Sequence, residues 1–176
     1  LQDHLALMLH FERTQQWDRV LDHLDKAEKL AAGKPGARWI RTAILDLARR
    51  REDWKKRMLE EASRLAATPH ASPGASEEMF LAGYVLGQAG RGFEANELLA
   101  VLDVLRPVYQ RQPPHVKAMK HWTQRRAEHL EQTGQWEQSL ALRKQLAEQY
   151  PHDADVHQQY ARTLINAGES EAAQAW

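Results

Sequence analysis

The sequence predicts an all-α protein made of consecutive antiparallel helix pairs. Apolar residues recur at helical spacing in every long segment, as in the run Ile40, Ala43, Ile44 and Leu47, and this spacing places them on one stripe of a helix. Ala, Leu, Gln, Glu and Arg dominate the composition, β-branched residues are scarce, and no segment alternates like a strand. These two observations predict helices throughout, and a third predicts how they pair.

The third observation is a recurring local setting. Trp17, Trp54 and Trp136 each follow a helix-like segment and a short polar or glycine break, and each opens a second amphipathic segment. Glycines at positions 90, 134 and 168 continue the rhythm. A recurrence at about 20–50 residues is typical of stacked supersecondary units.

Each predicted helix is followed by its partner. In chain order the pairs are 2–14 with 17–31, 37–51 with 53–67, 73–89 with 93–106, 116–133 with 136–149, and 154–167 with 170–176. Asp153 is a predicted N-cap, and Ser72-Pro73 is predicted to be an N-cap followed by the first helical position. Prolines predict irregular connections over residues 68–74 and 106–115.

The turns inside the pairs are predicted to be of two kinds. Gly90, Gly134 and Gly168 each follow a periodic segment and suit the left-handed position that ends a helix. The first two pairs lack such a glycine, so their turns are predicted to use Thr14-Gln15 and Arg51-Glu52.

Packing between the paired helices is predicted to combine small and large side chains. Gly83, Ala127 and Ala161 are expected to let helices approach closely. The recurring tryptophans are expected to fill the space to the partner helix, with full burial of each ring contributing about 3 kcal/mol.

These residues resemble the tetratricopeptide repeat family, whose period is about 34 residues. One set of positions with the family's spacing is Ala82, Gly83, Leu86, Gly90, Ala95, Leu99, Leu102 and Pro107, and another is Tyr160, Ala161, Leu164, Gly168 and Ala173. Pro151 ends a unit where that family ends one. The resemblance covers nearly the whole chain, although its second unit departs from the pattern at Arg57 and Met58.

The resemblance implies a right-handed superhelical array of antiparallel helix pairs, an α-solenoid. The expected organisation is a single array over residues 1–176, with units at about 1–34, 37–70, 73–112 and 116–152 and a partial unit at 153–176. Because the chain starts without methionine and stops within an apolar helix face, we expect a piece of a longer protein, with self-association through the truncated C-terminal end as one outcome.

Composition limits the classes of partner. Lys plus Arg and Asp plus Glu both number 24, so no general attraction for nucleic acid or an anionic membrane is expected. Cysteine is absent, which excludes disulfides and cysteine-based zinc sites. No apolar run is long enough for a membrane span, and both cytoplasm and periplasm remain open as the compartment.

Catalytic and metal motifs are not found. The nine histidines include no pair at the i, i+4 spacing of a helical metal site, no serine lies in a glycine-flanked elbow, and Gly90-Arg91-Gly92 fits a helix-ending turn better than a phosphate loop. The neighbouring acids Glu60 and Glu61 point apart on a helix. We therefore expect no enzyme activity and no cofactor.

A basic cluster spans residues 49–57. It is composed of Arg49, Arg50, Arg51, Lys55, Lys56 and Arg57, interrupted only by Glu52, Asp53 and Trp54. The pattern favours a solvent-exposed turn whose basic side chains are partly paired with Glu52, Asp53, Glu60 and Glu61. The alternative is a patch that binds an anion or an RNA backbone.

The remaining candidate is a binding face on the first helix of each pair. In proteins of the family resembled, these helices line the concave face and bind extended peptides. The residues here that lie off the core stripe, and that form the candidate partner-binding set, are Leu5, Leu9, Trp39, Phe80, Tyr84 and Arg162, with polar neighbours Asp46, Gln124, Glu128 and Gln158. Packing between neighbouring units is the alternative role for the apolar members.

The sequence therefore predicts a protein–protein interaction scaffold that binds a protein or peptide through this face. The first alternative is a scaffold domain of a larger enzyme or of a cell-envelope assembly protein. The second is a nucleic-acid-binding helical repeat.

Overall fold

The computed structural model describes residues 2–31, 37–49, 53–67, 75–111 and 115–176. Within these residues the structure is all helical and has ten helices, which confirms the all-α prediction. The helices are α1 (Gln2–Arg13), α2 (Trp17–Ala31), α3 (Ala37–Ala48), α4 (Trp54–Ala67), α5 (Ala75–Ala89), α6 (Ala95–Arg111), α7 (His115–Gln132), α8 (Trp136–Gln149), α9 (Ala154–Asn166) and α10 (Ser170–Ala175).

The chain forms two compact units, Leu1–Gly92 and Phe93–Trp176. In the first unit, helices that follow one another pack together from α1 to α5, and α5 also packs against α3. In the second unit, consecutive helices pack from α6 to α10. The division lies between the two helices of the predicted third pair. Consecutive packing of this kind is compatible with a helical repeat.

In the first unit, α2 and α3 contribute the residues of one apolar cluster. Its buried members are Val20, Leu24, Ala27, Ala31 and Ile40, and Met8, Phe11, Trp17 and Ile44 pack against them. An ion-pair network lies beside this cluster: Arg41 on α3 pairs with Glu28 on α2 and, at 3.6 Å, with Glu61 on α4. The same arginine therefore links three helices.

The helix α6 is longer than predicted. The proline at 107 led us to expect an end at residue 106, but the helix continues to Arg111. A proline removes one backbone hydrogen bond, and Pro107 lies on the exposed side of α6. The apolar stripe continues past it, because Leu105, Val108 and Tyr109 are all buried. Their burial offsets the lost bond, so the prediction of an extended connection from residue 106 was wrong.

The turn between α1 and α2 has the same geometry as the turn between α7 and α8. Gln15 adopts φ 56° and Gly134 adopts φ 73°. The next amide N–H reaches back in both: Gln16 donates to the Phe11 carbonyl and Gln135 to the Leu130 carbonyl, each at 2.9 Å. This long backward bond is the mark of a helix end with a left-handed residue. The turn lies at Thr14-Gln15 as predicted, but the prediction that it differs in kind from the glycine turns was wrong, because Gln15 adopts the same left-handed φ.

Side chains reinforce the same turn. The Thr14 hydroxyl donates to the His10 and Phe11 carbonyls, and the Gln16 side-chain amide donates to that hydroxyl at 3.0 Å. Thr133 and Gln135 make the equivalent bonds, with 2.8 Å between the Gln135 amide and the Thr133 hydroxyl. A Thr-X-Gln-Trp sequence is thus one structural unit used twice.

The glycine predictions are confirmed at two of three positions. Gly134 and Gly168 have positive φ, at 73° and 89°. Gly90 does not, although its N–H donates to the Leu86 carbonyl at 2.9 Å and the chain turns there. At Gly92 an added Cβ would lie 3.1 Å from the Trp54 ring, so the ring would have to shift by a few tenths of an ångström to accommodate it. The remaining predictions, a turn at Arg51-Glu52 and an N-cap at Ser72, lie outside the described residues.

The predicted packing roles need correction. Trp17, Trp54 and Trp136 are only partly buried, since each opens a helix at the end of a pair. Trp122, in the middle of α7, is 5% exposed, and its indole N–H donates to the Leu102 carbonyl at 2.8 Å. Of the small residues, Ala127 is buried.

Gly83 lies on the exposed side of α5, where an added Cβ would meet nothing within 4 Å, so it does not serve close approach. The buried small residue is its neighbour Ala82. Ala161 on α9 is partly buried.

The helix α9 and the residues after it complete the second unit. Asp153 is the N-cap of α9, as predicted, and accepts a hydrogen bond from the Val156 amide. Beyond α10, the Trp176 ring packs edge-on against Tyr160 with centroids 4.8 Å apart, and its N–H donates to His157 Nδ1 at 2.9 Å. Self-association through this end stays a prediction.

Candidate functional site

Three of the six candidate binding residues lie together on the surface of the first unit. Trp39 projects from α3, and Phe80 and Tyr84 project from α5, one helical turn apart. The ring centroids of Trp39 and Phe80 are 6.1 Å apart in an edge-on arrangement, and those of Phe80 and Tyr84 are 6.3 Å apart and stacked. Because α3 and α5 pack together, Trp39 and residues 41 and 45 positions further along the chain form one aromatic row.

These rings remain accessible to solvent. Trp39 is 59% exposed and Phe80 is 40% exposed. Large aromatic side chains that stay exposed in a contiguous group mark interaction sites more often than scattered apolar residues do. The alternative role predicted for them is packing between units of the repeat. Such packing explains only the part of each ring that is buried.

An arginine completes the group. The Arg38 guanidinium carbon lies 5.0 Å from the Trp39 ring centroid and 5.6 Å from the Phe80 centroid, within cation–π range. No carboxylate among the described residues pairs with Arg38. We refer to Arg38, Trp39, Phe80 and Tyr84 as the aromatic face.

A polar ladder borders the aromatic face on the Tyr84 side. The Gln88 side-chain amide donates to Asp46 at 2.9 Å, and its oxygen accepts from Arg49 at 3.3 Å. Gln88 is 4% exposed, so this bridge is well ordered by packing. Burial, and after it the hydrogen bond to Asp46, raises the pKa of Tyr84 to about 12.

The other candidate residues are not part of this group. Leu9 on α1 is an exposed side chain, and no described contact joins it to the aromatic face. The side chain of Leu5 lies outside the described residues. Arg162 belongs to the second unit, where it lines a separate polar cleft.

The cleft in the second unit has a volume of about 470 Å³. Its lining comes from α7, α8 and α9: Glu128, Glu131, Gln132, Arg143, Gln159, Arg162, Thr163 and Asn166. Of the predicted polar neighbours, Glu128 lines it and Gln124 lies close by, donating to Gln159 at 3.4 Å.

The floor of this cleft is a hydrogen-bond network around one carboxylate. Glu131 Oε1 accepts from the Ser139 hydroxyl at 2.9 Å, the Arg143 Nε–H at 3.1 Å and the Thr163 hydroxyl at 2.9 Å. Arg143 is 4% exposed, and it also donates to Gln159. Since the carboxylate and the guanidinium satisfy each other, the network serves to hold three helices together.

The basic cluster behaves as a solvated edge where it is described. Arg57 pairs with Asp53 at 3.2 Å and Lys56 with Glu60 at 3.7 Å, each within one turn of α4. Arg50, Arg51 and Glu52 lie outside the described residues. Glu60 and Glu61 point apart as predicted: Glu60 pairs with Lys56, whereas Glu61 pairs with Arg41 and Arg64.

Two features were missed from the sequence. Arg38 and Gln88 carry no signal in the sequence, because only the packing of α3 against α5 shows what they contact. The pair His4 and His23 was also missed: their Nδ1 atoms lie 3.0 Å apart across α1 and α2. Among the described residues, no group of three histidine, aspartate or glutamate side chains could hold a metal ion.

Comparisons with known proteins add no assignment. No protein-family model, curated protein or solved structure matches the chain. Among the helices of the described residues, none has both the length and the apolar character needed to cross a bilayer.

Proposed function

We propose that this chain is a tetratricopeptide-like helical repeat that acts as a protein–protein interaction scaffold, and that it binds an extended segment of a partner across the aromatic face. The observation that carries the proposal is the row formed by Trp39, Phe80 and Tyr84 on two neighbouring first helices, with ring separations of 6.1 and 6.3 Å. In a superhelical array this row lies on the concave side.

The repeat part of the proposal is supported by the turns. Thr14-Gln15-Gln16-Trp17 and Thr133-Gly134-Gln135-Trp136 share backbone angles and four kinds of hydrogen bond. Two loops of unrelated origin would not be expected to agree in sequence, dihedral angle and side-chain bonding together. This agreement supports a common structural unit.

The binding part is supported by the chemistry of the exposed rings. Tyr and Trp are enriched among residues that dominate interface energetics, since they bury a large area with few rotatable bonds. The aromatic face presents two such residues and a phenylalanine beside an arginine, which is also enriched at such positions. A partner side chain packed over the rings would remove apolar area from water that the fold alone leaves exposed.

The charge distribution supports a protein partner over a nucleic acid. The formal net charge is zero, and in the described part of the basic cluster Lys56 and Arg57 are paired with acidic residues. Arg49, another described member of the cluster, donates to the neutral side-chain oxygen of Gln88. Nucleic-acid binding depends on many unpaired cations that release counterions from phosphates.

The test is a selection from a random peptide library displayed on phage, followed by binding measurements with individual peptides. Trp39→Ala and Phe80→Ala are the test variants. Ile165→Ala is the matched control, because Ile165 is 58% exposed on α9 and belongs to the second unit. We expect peptides that bind the parent and the control equally and the two test variants at least about tenfold more weakly.

Helical content measured by circular dichroism should stay unchanged in all variants, since each replaced side chain lies on the surface of its helix. Selected peptides that bind every variant equally would contradict the proposal.

A further inference from the structure

Building on the proposed function, we infer that the partner segment is acidic: its aromatic or large aliphatic anchors alternate with side-chain carboxylates. The first step concerns spacing. Residues i and i+2 of an extended chain point to the same side and lie about 7 Å apart. The rings of the aromatic face are separated by 6.1 and 6.3 Å, so anchors two positions apart in an extended segment match the row.

A cation lies at the row of rings. Arg38 lies over both Trp39 and Phe80, and a guanidinium stacked on aromatic rings keeps its N–H edge free to bind a carboxylate through two parallel hydrogen bonds. Arg41 and Arg57 of the first unit, by comparison, have carboxylate partners, Glu28 and Asp53. Arg38 has none among the described residues.

Charged residues also border the row at Tyr84. The Asp46 carboxylate accepts from Gln88 and hydrogen-bonds to Tyr84, so its charge is already stabilised by the chain itself. Arg49, in contrast, is exposed and donates to the neutral oxygen of Gln88. Arg91 also acts electrostatically on Tyr84. Three arginine cations, Arg38, Arg49 and Arg91, therefore lie at the row or its border, and the field that they set up is partly offset by Asp46.

A ligand with carboxylates beside its anchors complements this field, whereas a lysine-rich ligand opposes it. The carboxylate next to an anchor would bind Arg38 while the anchor contacts the rings. The positive residues at the other end of the row would attract a second carboxylate. The proposal thus specifies an alternating aromatic and acidic segment.

The experiment uses three short peptides with capped ends, so that only side chains supply charge. All carry two phenylalanines two positions apart, and the residues between and around them are glutamate, glutamine or lysine. Binding to the parent chain is measured by fluorescence anisotropy at low and at physiological salt. We expect the glutamate peptide to bind at least about tenfold more tightly than the glutamine peptide, and the lysine peptide to bind most weakly.

Two arginine variants locate the effect. Arg38→Met removes the charge and keeps a side chain of similar reach, and it should remove most of the preference for glutamate over glutamine. Arg19→Met is the matched control, because Arg19 lies over the Phe11 ring at 5.3 Å in the same unit but apart from the aromatic face. The control should keep the full preference.

The outcomes separate this inference from the proposed function. If the glutamine peptide binds as tightly as the glutamate peptide and loses affinity in Trp39→Ala, the charge inference is wrong and the aromatic face still binds partners. If none of the three peptides binds at millimolar concentration, the inference is also wrong, and the charge-blind library selection decides the proposed function by itself. A preference that survives Arg38→Met contradicts the assigned role of this arginine.

Discussion

The shared turn geometry leads to a reciprocal prediction at Gly134 and Gln15. Both residues adopt a left-handed backbone, with φ of 73° and 56°. In this conformation a residue with a Cβ destabilises the folded state by about 1–2 kcal/mol relative to glycine. A non-glycine residue also lowers the chain entropy of the unfolded state, which stabilises the fold by about 0.4–1 kcal/mol and offsets part of that cost. Gly134→Ala should therefore destabilise the fold by about 1 kcal/mol. Gln15→Gly should stabilise it by about 0.5–1 kcal/mol.

Side-chain crowding does not complicate the change at Gly134, since a Cβ there would meet nothing within 4 Å. A matched control is available in Gly83, which also has open space around it but lies inside the helix α5. Gly83→Ala should stabilise the fold by about 0.5–1 kcal/mol, because alanine is favoured in a helix interior. The same substitution is thus expected to have opposite signs at two positions.

The assay is urea unfolding followed by far-ultraviolet circular dichroism, with the m-value checked for constancy. Each variant is compared with the parent over the whole unfolding curve, and unfolding in more than one transition is fitted as such. A Gly134→Ala protein as stable as the parent would refute the assignment of a shared left-handed turn. A loss of stability in Gln15→Gly would refute it as well.

Three further predictions concern packing, titration and the buried ion pair. Trp122→Ala should cost about 3–5 kcal/mol and Trp136→Ala clearly less, since only the first ring is fully enclosed; equal melting temperatures would contradict this. Burial and hydrogen bonding raise the pKa of Tyr84 to about 12, so the folded state keeps a proton that the unfolded state loses near pH 10. In unfolding measured between pH 10 and 12, the parent should therefore lose stability more steeply than Tyr84→Phe. Glu131→Ala should cost about 3 kcal/mol by leaving the Arg143 guanidinium buried without its carboxylate, whereas replacing both residues by leucine should recover much of that loss in the same urea assay.

The helices were predictable because the pattern is local. The apolar spacing within α2 and α8 gave both ends of each helix, and the absence of glycine before Trp17 indicated the Thr14-Gln15 turn. The end of α6 was missed because the local cost of Pro107 was given more weight than the apolar stripe that continues to Tyr109.

The candidate site was predictable only in part. Trp39, Phe80 and Tyr84 could be selected because they lie off the core stripe of their helices, and a sequence shows that directly. The role of Arg38 and the burial of Gln88 depend on how α3 and α5 pack, which no spacing within one helix specifies. For the same reason the network at Glu131, which draws on three helices, had no signal in the sequence.

The aromatic face can be tested as a binding surface with protein labelled with nitrogen-15 at tryptophan. The chain has six tryptophans, so the spectrum has one indole N–H signal for each, and Trp39→Phe identifies the signal of Trp39. A peptide selected from the random library is added stepwise. We expect the Trp39 signal to shift and to saturate with the binding isotherm, while the signals of Trp122 and Trp136 in the second unit stay in place. A peptide that saturates the protein without moving the Trp39 signal would contradict the account.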